Sequence, residues 1–191
     1  LTVLIWVMEM LSNLREETKE LHNDIEKDNI ANKIMDNSIS LEEYKLLLFQ
    51  NYIAYKSAES EIDKFLPNYG TDKTDRLKQD LENLGLSNFD CELEFKCSNE
   101  AEAIGAAYVI EGSAMGGMLI GKEIKNCTSL SSLQDQYFFN GERSSMTGWN
   151  AYLKYLRSRE FNEQEILTAT KKAQETFLLF KEAFNYTLSS C

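Results

Sequence analysis

A single proline, Pro67, stands in this chain of 191 residues, so almost nothing locks the backbone away from helical geometry or removes a helix amide. Leu, Glu, Lys and Ala are good helix formers and recur throughout the sequence. Together these features predict an all-α, single-domain, multi-helix bundle, and a chain of this length can bury roughly 70% of the surface it exposes when unfolded. Apolar periodicity and capping signals place the helices. Leu11, Leu14, Leu21 and Ile25 recur at helical spacing, which predicts an amphipathic helix over about 9–28 with His22 beside its apolar stripe. Ser40 and Glu43 form a capping-box signature before Leu46, Leu47 and Phe49, so the next helix should run to about Phe65 and stop before Pro67. A short charged helix follows over about 72–84, ending near Gly85, and 86–98 reads as irregular. Asn99 with Glu102 opens a helix that continues to about Lys125. After a Ser-rich loop over 128–135, an aromatic segment Tyr137-Phe138-Phe139 and a turn at Asn140-Gly141, two helices cover about 146–158 and 163–188. Asn162 with Glu165 caps the second of them.

The formal charge of −11 argues against overall attraction to nucleic acid or an anionic membrane. The opening residues LTVLIWVMEML are apolar but too short to span a bilayer, and they lack the basic region of a secretory signal. No export is expected, and with Leu at position 1 and Met8 and Met10 close behind, residues 1–10 are read as an N-terminal extension of a domain over 11–191. Cys91, Cys97, Cys127 and Cys191 have no CxxC spacing, and one histidine cannot complete a Cys/His zinc site, so four thiols in a reducing cytoplasm are expected.

Against this helical background the segment after Asn99 carries Gly105, Gly112, Gly116, Gly117 and Gly121. Each interior helical glycine costs about 1 kcal/mol against alanine, so something must exploit the missing side chains. Gly105, Gly112 and Gly116 fall on one stripe at 100° per residue. One explanation is close helix packing through small residues, since Gly112 to Gly116 and Gly117 to Gly121 both have GxxxG spacing. A membrane span is a weaker one, because Glu111 in mid-run would cost about 2.5 kcal/mol or more in lipid. The third is a helix opened by its glycines and laid over a planar ligand. His22, the only histidine, bears on the choice. A satisfied core histidine is the ordinary expectation, but Glu26, one turn on, can accept its second ring N–H as in metal-bound histidine. Arg15 lies seven residues before His22, roughly 10 Å away along the helix at 1.5 Å per residue, with Lys19 between them.

Leu14-Arg-Glu-Glu-Thr-Lys-Glu-Leu-His22 with Glu26 resembles the proximal helix of the haem oxygenases, and Tyr108-Val-Ile-Glu-Gly-Ser-Ala-Met-Gly-Gly117 resembles their glycine-rich distal helix, best in the bacterial branch. Tyr137-Phe-Phe-Asn-Gly141, Trp149 and Thr176-Phe-Leu-Leu-Phe180 are similar to later segments of that family, so the resemblance spans most of 11–185. It implies haem sandwiched between a proximal helix and a kinked distal one. His22 would be the axial iron ligand and Glu26 its hydrogen-bond partner, Arg15 would meet a propionate, and Gly112, Gly116 and Gly117 would be the distal backbone. Tyr108, Trp149 and Phe177 would complete the haem site. In the animal enzymes an aspartate follows the first distal glycine; here Ser113 does, so Ser113, or water reached by Arg143 or another polar side chain, would have to guide protons.

The implied reaction is oxidative cleavage of haem to biliverdin, carbon monoxide and ferrous iron, with O2 as co-substrate. Electrons would come from a ferredoxin or reductase, because the chain has no Rossmann, flavin or iron–sulfur pattern. Lys154, Arg157, Arg159, Lys171 and Lys172 are candidates for docking such a donor. Four other readings stay open: a non-catalytic haem carrier on the same fold, a thiamin-type hydrolase using a cysteine, a di-iron oxygenase, for which one histidine is too few, and a plain helical interaction protein.

Overall fold

The computed structural model describes residues 2–27, 29–66, 72–87 and 91–189, with side chains from residue 8 onward. The described residues are helical throughout their regular structure, with no strand: α1 (Thr2–Lys27), α2 (Asn32–Met35), α3 (Leu41–Ile62), α4 (Lys73–Asn83), α5 (Glu100–Gly112), α6 (Ala114–Ile124), α7 (Thr147–Arg157) and α8 (Glu163–Ala183). Two 3-10 turns, Thr128–Leu130 and Arg143–Met146, punctuate the connection between α6 and α7. The predicted stop at Pro67 and the thiol of Cys191 lie outside the described residues.

The caps read from sequence are present. Ser40 Oγ accepts from the Glu43 amide at 3.2 Å while Glu43 returns a bond from the Ser40 amide at 2.9 Å. Asn162 and Glu165 do the same for α8 at 2.9 and 2.8 Å. Asn99 accepts from the Glu102 amide at 3.0 Å, but Glu102 reaches past it to the Ser98 amide at 2.8 Å. The start of α4 has no side-chain cap of its own; Glu59 of α3 supplies one, accepting from the amides of Lys73 and Thr74 at 3.1 and 3.0 Å. Such a cap from a distant element leaves no local sequence signal.

Helix α5 is the central element, packed most extensively on α8 and also against α3 and α7. Ala103, Ala106 and Ala107 on α5 and Ala169 and Ala173 on α8 are all fully buried, so the two backbones approach closely. Gly105 is essential to that approach: a Cβ there would be driven into the backbone carbonyl of Ala169. Helix α1 lies along α8, with Met10 and Leu14 buried. The α5–α6 run, residues Glu100–Ile124, is long and apolar enough by length and composition to cross a membrane, yet half of its most apolar window is buried inside the protein.

The helix expected over 99–125 carries the kink its glycines implied: α5 ends at Gly112, α6 begins at Ala114, and Ser113 stands between them. Ser113 Oγ donates to the Ile110 carbonyl at 2.8 Å, a side-chain bond that competes with the helix ladder beside two glycine-rich turns. The last helix ends at Ala183 rather than near 188. The cysteines also depart from four free thiols: Cys97 and Cys127 are free and buried, whereas Cys91 is disulfide-bonded.

Candidate functional site

Between α1 and the broken α5–α6 run lies a cavity of about 680 Å³, walled mostly by apolar groups, within the range of pockets that bury a sizeable organic ligand. Helix α1 contributes His22, Ile25 and Glu26; α5 and α6 contribute Tyr108, Gly112, Ser113, Gly116 and Gly117; α8 contributes Phe177, Phe180 and Phe184. Met35 of α2, Met115 and Leu119 of α6 also line it, and these three are exposed large hydrophobics at the protein surface. A mouth edged by methionine and leucine suits a broad apolar ligand that covers them once bound.

The His22 side chain is 53% exposed, its Nε2 edge 3.5 Å from Glu26 Oε1. Phe177 meets the imidazole edge-on, centroids 5.8 Å apart at 82°, which fixes the ring plane without consuming a ring nitrogen. Across the cavity the glycines separate by role. A Cβ on Gly116 would meet nothing within 4 Å, so bare backbone faces open space there. Gly117 lies against Phe139, and Gly112 turns its vacant Cβ position toward Trp149, 3.8 Å away. Gly121 faces the loop instead, where a Cβ would come within 2.6 Å of the Phe139 carbonyl. Small-residue packing therefore explains Gly105 and Gly121, and an open ligand space explains Gly116.

Ser113 lies on the cavity wall at the helix break. Having donated to Ile110, its hydroxyl accepts from Tyr55 Oη at 2.6 Å. Tyr55 is fully buried between Phe138 and Phe180, with centroids at 5.3 and 5.1 Å, and burial pushes its phenol pKa well up, so it stays a hydrogen-bond donor. Nothing in the local sequence around Tyr55 marked it; only the tertiary contact with Ser113 does. The aromatic segment is set by Asp80 of α4, whose buried carboxylate accepts from the amides of Tyr137 and Phe138 at 2.8 and 2.9 Å.

Of the residues singled out by sequence, His22, Glu26, Tyr108, Gly112, Ser113, Gly116, Gly117 and Phe177 line this one cavity. Trp149 does not: it stacks on Tyr152, centroids 5.5 Å apart, and sits 6.0 Å from Tyr108, backing the distal helix from its other side. Arg15 is exposed on α1 and is also off the cavity wall, but its charge reaches Tyr108. Burial raises the Tyr108 phenol pKa, while its hydrogen bond with Thr18 and the Arg15 guanidinium oppose that rise. Arg143 is exposed and lines neither this cavity nor its neighbour. Among the basic candidates for docking, Arg159 is paired with Glu100 and Glu165, and Lys172 is buried between Glu102 and Glu175, leaving Lys154, Arg157 and Lys171 exposed.

Among the described residues no three His, Cys, Asp or Glu side chains gather to hold a metal ion. Burial pushes the Cys97 thiol up to about 12 and raises that of Cys127 as well, so neither is an activated nucleophile of the thiamin-hydrolase kind. The cavity instead offers one imidazole opposite one bare stretch of main chain. The heme oxygenase family profile matches residues 8–186. The chain belongs to the haem oxygenase family.

Solved structures carry the same fold. The NO- and CO-bound heme oxygenase of Neisseria meningitidis is similar with a TM-score of 0.68 at 21% identity, over 95% of this chain and 94% of that one. Heme oxygenase-1 of the cyanobacterium Synechocystis, in complex with heme, gives 0.66 at 19% identity over 92% and 90%. The heme oxygenase of Leptospira interrogans gives 0.65 at 18% over 92% and 98%. No curated protein is matched by the sequence. Family membership makes the chain an oxidoreductase of a haem-binding family.

Proposed function

We propose that this haem oxygenase family member cleaves haem to biliverdin, carbon monoxide and ferrous iron, using O2 and electrons delivered from outside. The observation that carries the reading is the pairing of His22 and Gly116 on opposite walls of one apolar cavity of about 680 Å³. The residues fit the group: an imidazole on α1, a mostly apolar space of sufficient volume, and at Gly116 a stretch of wall that bears no side chain. When bound there, haem supplies the iron at which O2 is activated and is itself the carbon framework attacked.

His22 would hold the iron through one ring nitrogen, with Glu26, 3.5 Å from the imidazole, orienting the ring. Phe177 keeps the imidazole plane steady, and the Gly112–Gly117 backbone would hold the group from the α5–α6 wall and exclude bulk water there. Ser113, fed by the Tyr55 hydroxyl, offers the hydroxyl on that wall through which a proton can be handed in. Arg15, whose charge reaches Tyr108 on the cavity wall, would meet an anionic propionate, and Lys154 and Arg157 on α7 are exposed to an acidic electron donor.

Hemin titration of the wild type and His22→Ala, followed by ascorbate under air, tests this. Wild type should bind tightly and yield a green bile pigment, and His22→Ala should lose turnover. Unchanged turnover in that variant would remove His22 from its role. A second reading, a non-catalytic haem carrier, draws on the absence of any carboxylate on the Ser113 side of the cavity wall among the described residues, Glu26 standing on α1. A carrier would cycle its redox state in the same experiment with its Soret band intact and no pigment.

A further inference from the structure

Glu111 has no part in the cavity just described, and its position is costly. It precedes Gly112 at the end of α5, its side chain is 1% exposed, and it is embedded in the most apolar run of the chain. Lys73 Nζ of α4 approaches Glu111 Oε2 at 2.6 Å, but too obliquely for a hydrogen bond, and that buried oxygen has no hydrogen-bond partner among the described residues. Gly148 of α7 is pressed against the same carboxylate, so close that a Cβ there could not be accommodated. Packing alone would be better served by an apolar residue at this position, since a buried ion pair seldom outperforms a hydrophobic replacement.

The carboxylate borders a second, smaller cavity of about 190 Å³. Its walls include Lys73, Arg76, Ser144 and Thr147 as well as Glu111. Ser113, Gly117 and Phe138 line both this cavity and the large one, so only the thickness of the helix break separates them. The Glu111 charge is felt at the Tyr55 hydroxyl, which is bonded to Ser113.

We infer that Glu111 is the acid–base group behind the distal helix, passing protons from the smaller cavity to the large one by way of the Ser113–Tyr55 hydroxyl pair. The inference rests on the haem-cleaving reading above and replaces Arg143, which touches neither cavity. The step moves only protons: the Glu111 carboxyl gives one up toward Ser113 and regains one from the solvent side past Lys73 and Arg76. The charged and titratable groups around Glu111 are Asp72, Lys73 and Arg76 at the α4 start and Tyr55 and Glu59 on α3; α7 and the preceding 3-10 turn present only uncharged residues to the cavity. Glu111 thus acts through Ser113, as a positioning and proton-supplying residue that does not touch the substrate.

The test uses the full chain loaded with hemin, for wild type, Glu111→Gln, Glu111→Asp and the double variant Glu111→Gln/Lys73→Met. Hemin titration comes first: failure of wild type to bind hemin sinks the functional reading itself, whereas normal binding in all four isolates the question of Glu111. Glu111→Gln leaves the Lys73 cation unbalanced, so the acid–alkaline transition of the haem absorption spectrum should fall by about half a pH unit or more. The double variant should restore that midpoint, because no net charge is changed. Pigment formation should drop at least roughly tenfold in both Gln-bearing variants, with a larger solvent deuterium isotope effect, and Glu111→Asp should recover part of it. Should Glu111→Gln fail to fold, Lys73→Met alone must slow pigment formation. Wild-type rates of pigment formation in both Gln-bearing variants, or an unmoved spectral midpoint in Glu111→Gln alone, would overturn the inference.

Discussion

Adding one carbon to Gly105 and one to Gly116 separates two reasons for a missing side chain. At Gly105 the new Cβ collides with the Ala169 backbone, which cannot swing aside as a side-chain tip can. Gly105→Ala should therefore destabilise the protein by about 3 kcal/mol, as over-packing of a tight core does, read as a lowered urea midpoint. At Gly116 the added carbon meets nothing, so Gly116→Ala should leave the urea midpoint within about 0.5 kcal/mol or raise it slightly, alanine being the better helix former. Gly116→Leu should keep the fold but weaken hemin binding at least tenfold, because the side chain occupies the ligand's space; unchanged affinity would show that nothing is bound against that wall. The sequence carried both glycines on one stripe and gave no sign that they differ. Periodicity reports direction around a helix axis, and what lies in that direction is a tertiary fact. His22 with Glu26 was legible because their contact is local, four residues apart, while Tyr55 and Ser113 are 58 residues apart and meet only when α3 packs on α5. Trp149 was misplaced for the same reason, since an aromatic near a site can as well back a wall as line it.

At the scale of elements, the capped helices α3 and α8 were readable because capping is written within four residues of chain. Removing the α8 cap by Asn162→Ala should cost about 1 kcal/mol, measurable by urea titration. The α3 cap adds a pH dependence. Glu43 is held down at about 2, first by its bond to Lys33 and then by the Ser40 amide. A carboxyl with a lowered folded-state pKa contributes stability that is present above its unfolded value and is lost as pH falls through the folded one. Acidification from about 4.5 to 2 should thus weaken the protein, and Glu43→Gln should flatten that part of the stability-versus-pH curve in urea titrations at pH 5 and 3. Glu59 and Asp80 act in the opposite sense: burial raises both despite their backbone hydrogen bonds, so their contribution is largest in acid and declines as pH rises through their raised values. These two carboxylates join α4 to α3 on one side and to the aromatic segment on the other, and no pattern in α4 announces them. The break in the glycine-rich run was legible as a helix opened by its glycines, but its seat at Ser113 was not, because that depends on Ser113 bonding back to Ile110.

For the whole molecule, proline scarcity and apolar spacing were enough to specify an all-α domain, because backbone chemistry and local periodicity decide class before any long-range contact forms. Which helices touch was not written there: the α5–α8 contact depends on the coincidence of small residues about sixty positions apart. The cavity between α1 and α6 means that the folded chain has apolar surface still to cover. A ligand present at about 100 times its Kd stabilises the fold by about 2.7 kcal/mol, so hemin should raise Tm by roughly 5–10 °C at this chain length, followed by calorimetry. No rise would mean the space is not filled by hemin. Helix α6 faces that space while fastened unequally: its far end is clamped where Gly121 meets the Phe139 carbonyl, and its near end stops at Ser113, where the hydrogen-bond ladder is interrupted. A beam fixed at one support and jointed at the other deflects most near the joint. Amide hydrogens from Met115 to Leu119 should accordingly exchange with deuterium faster than those of α5 in the hemin-free protein, and slow once the beam has something to rest on.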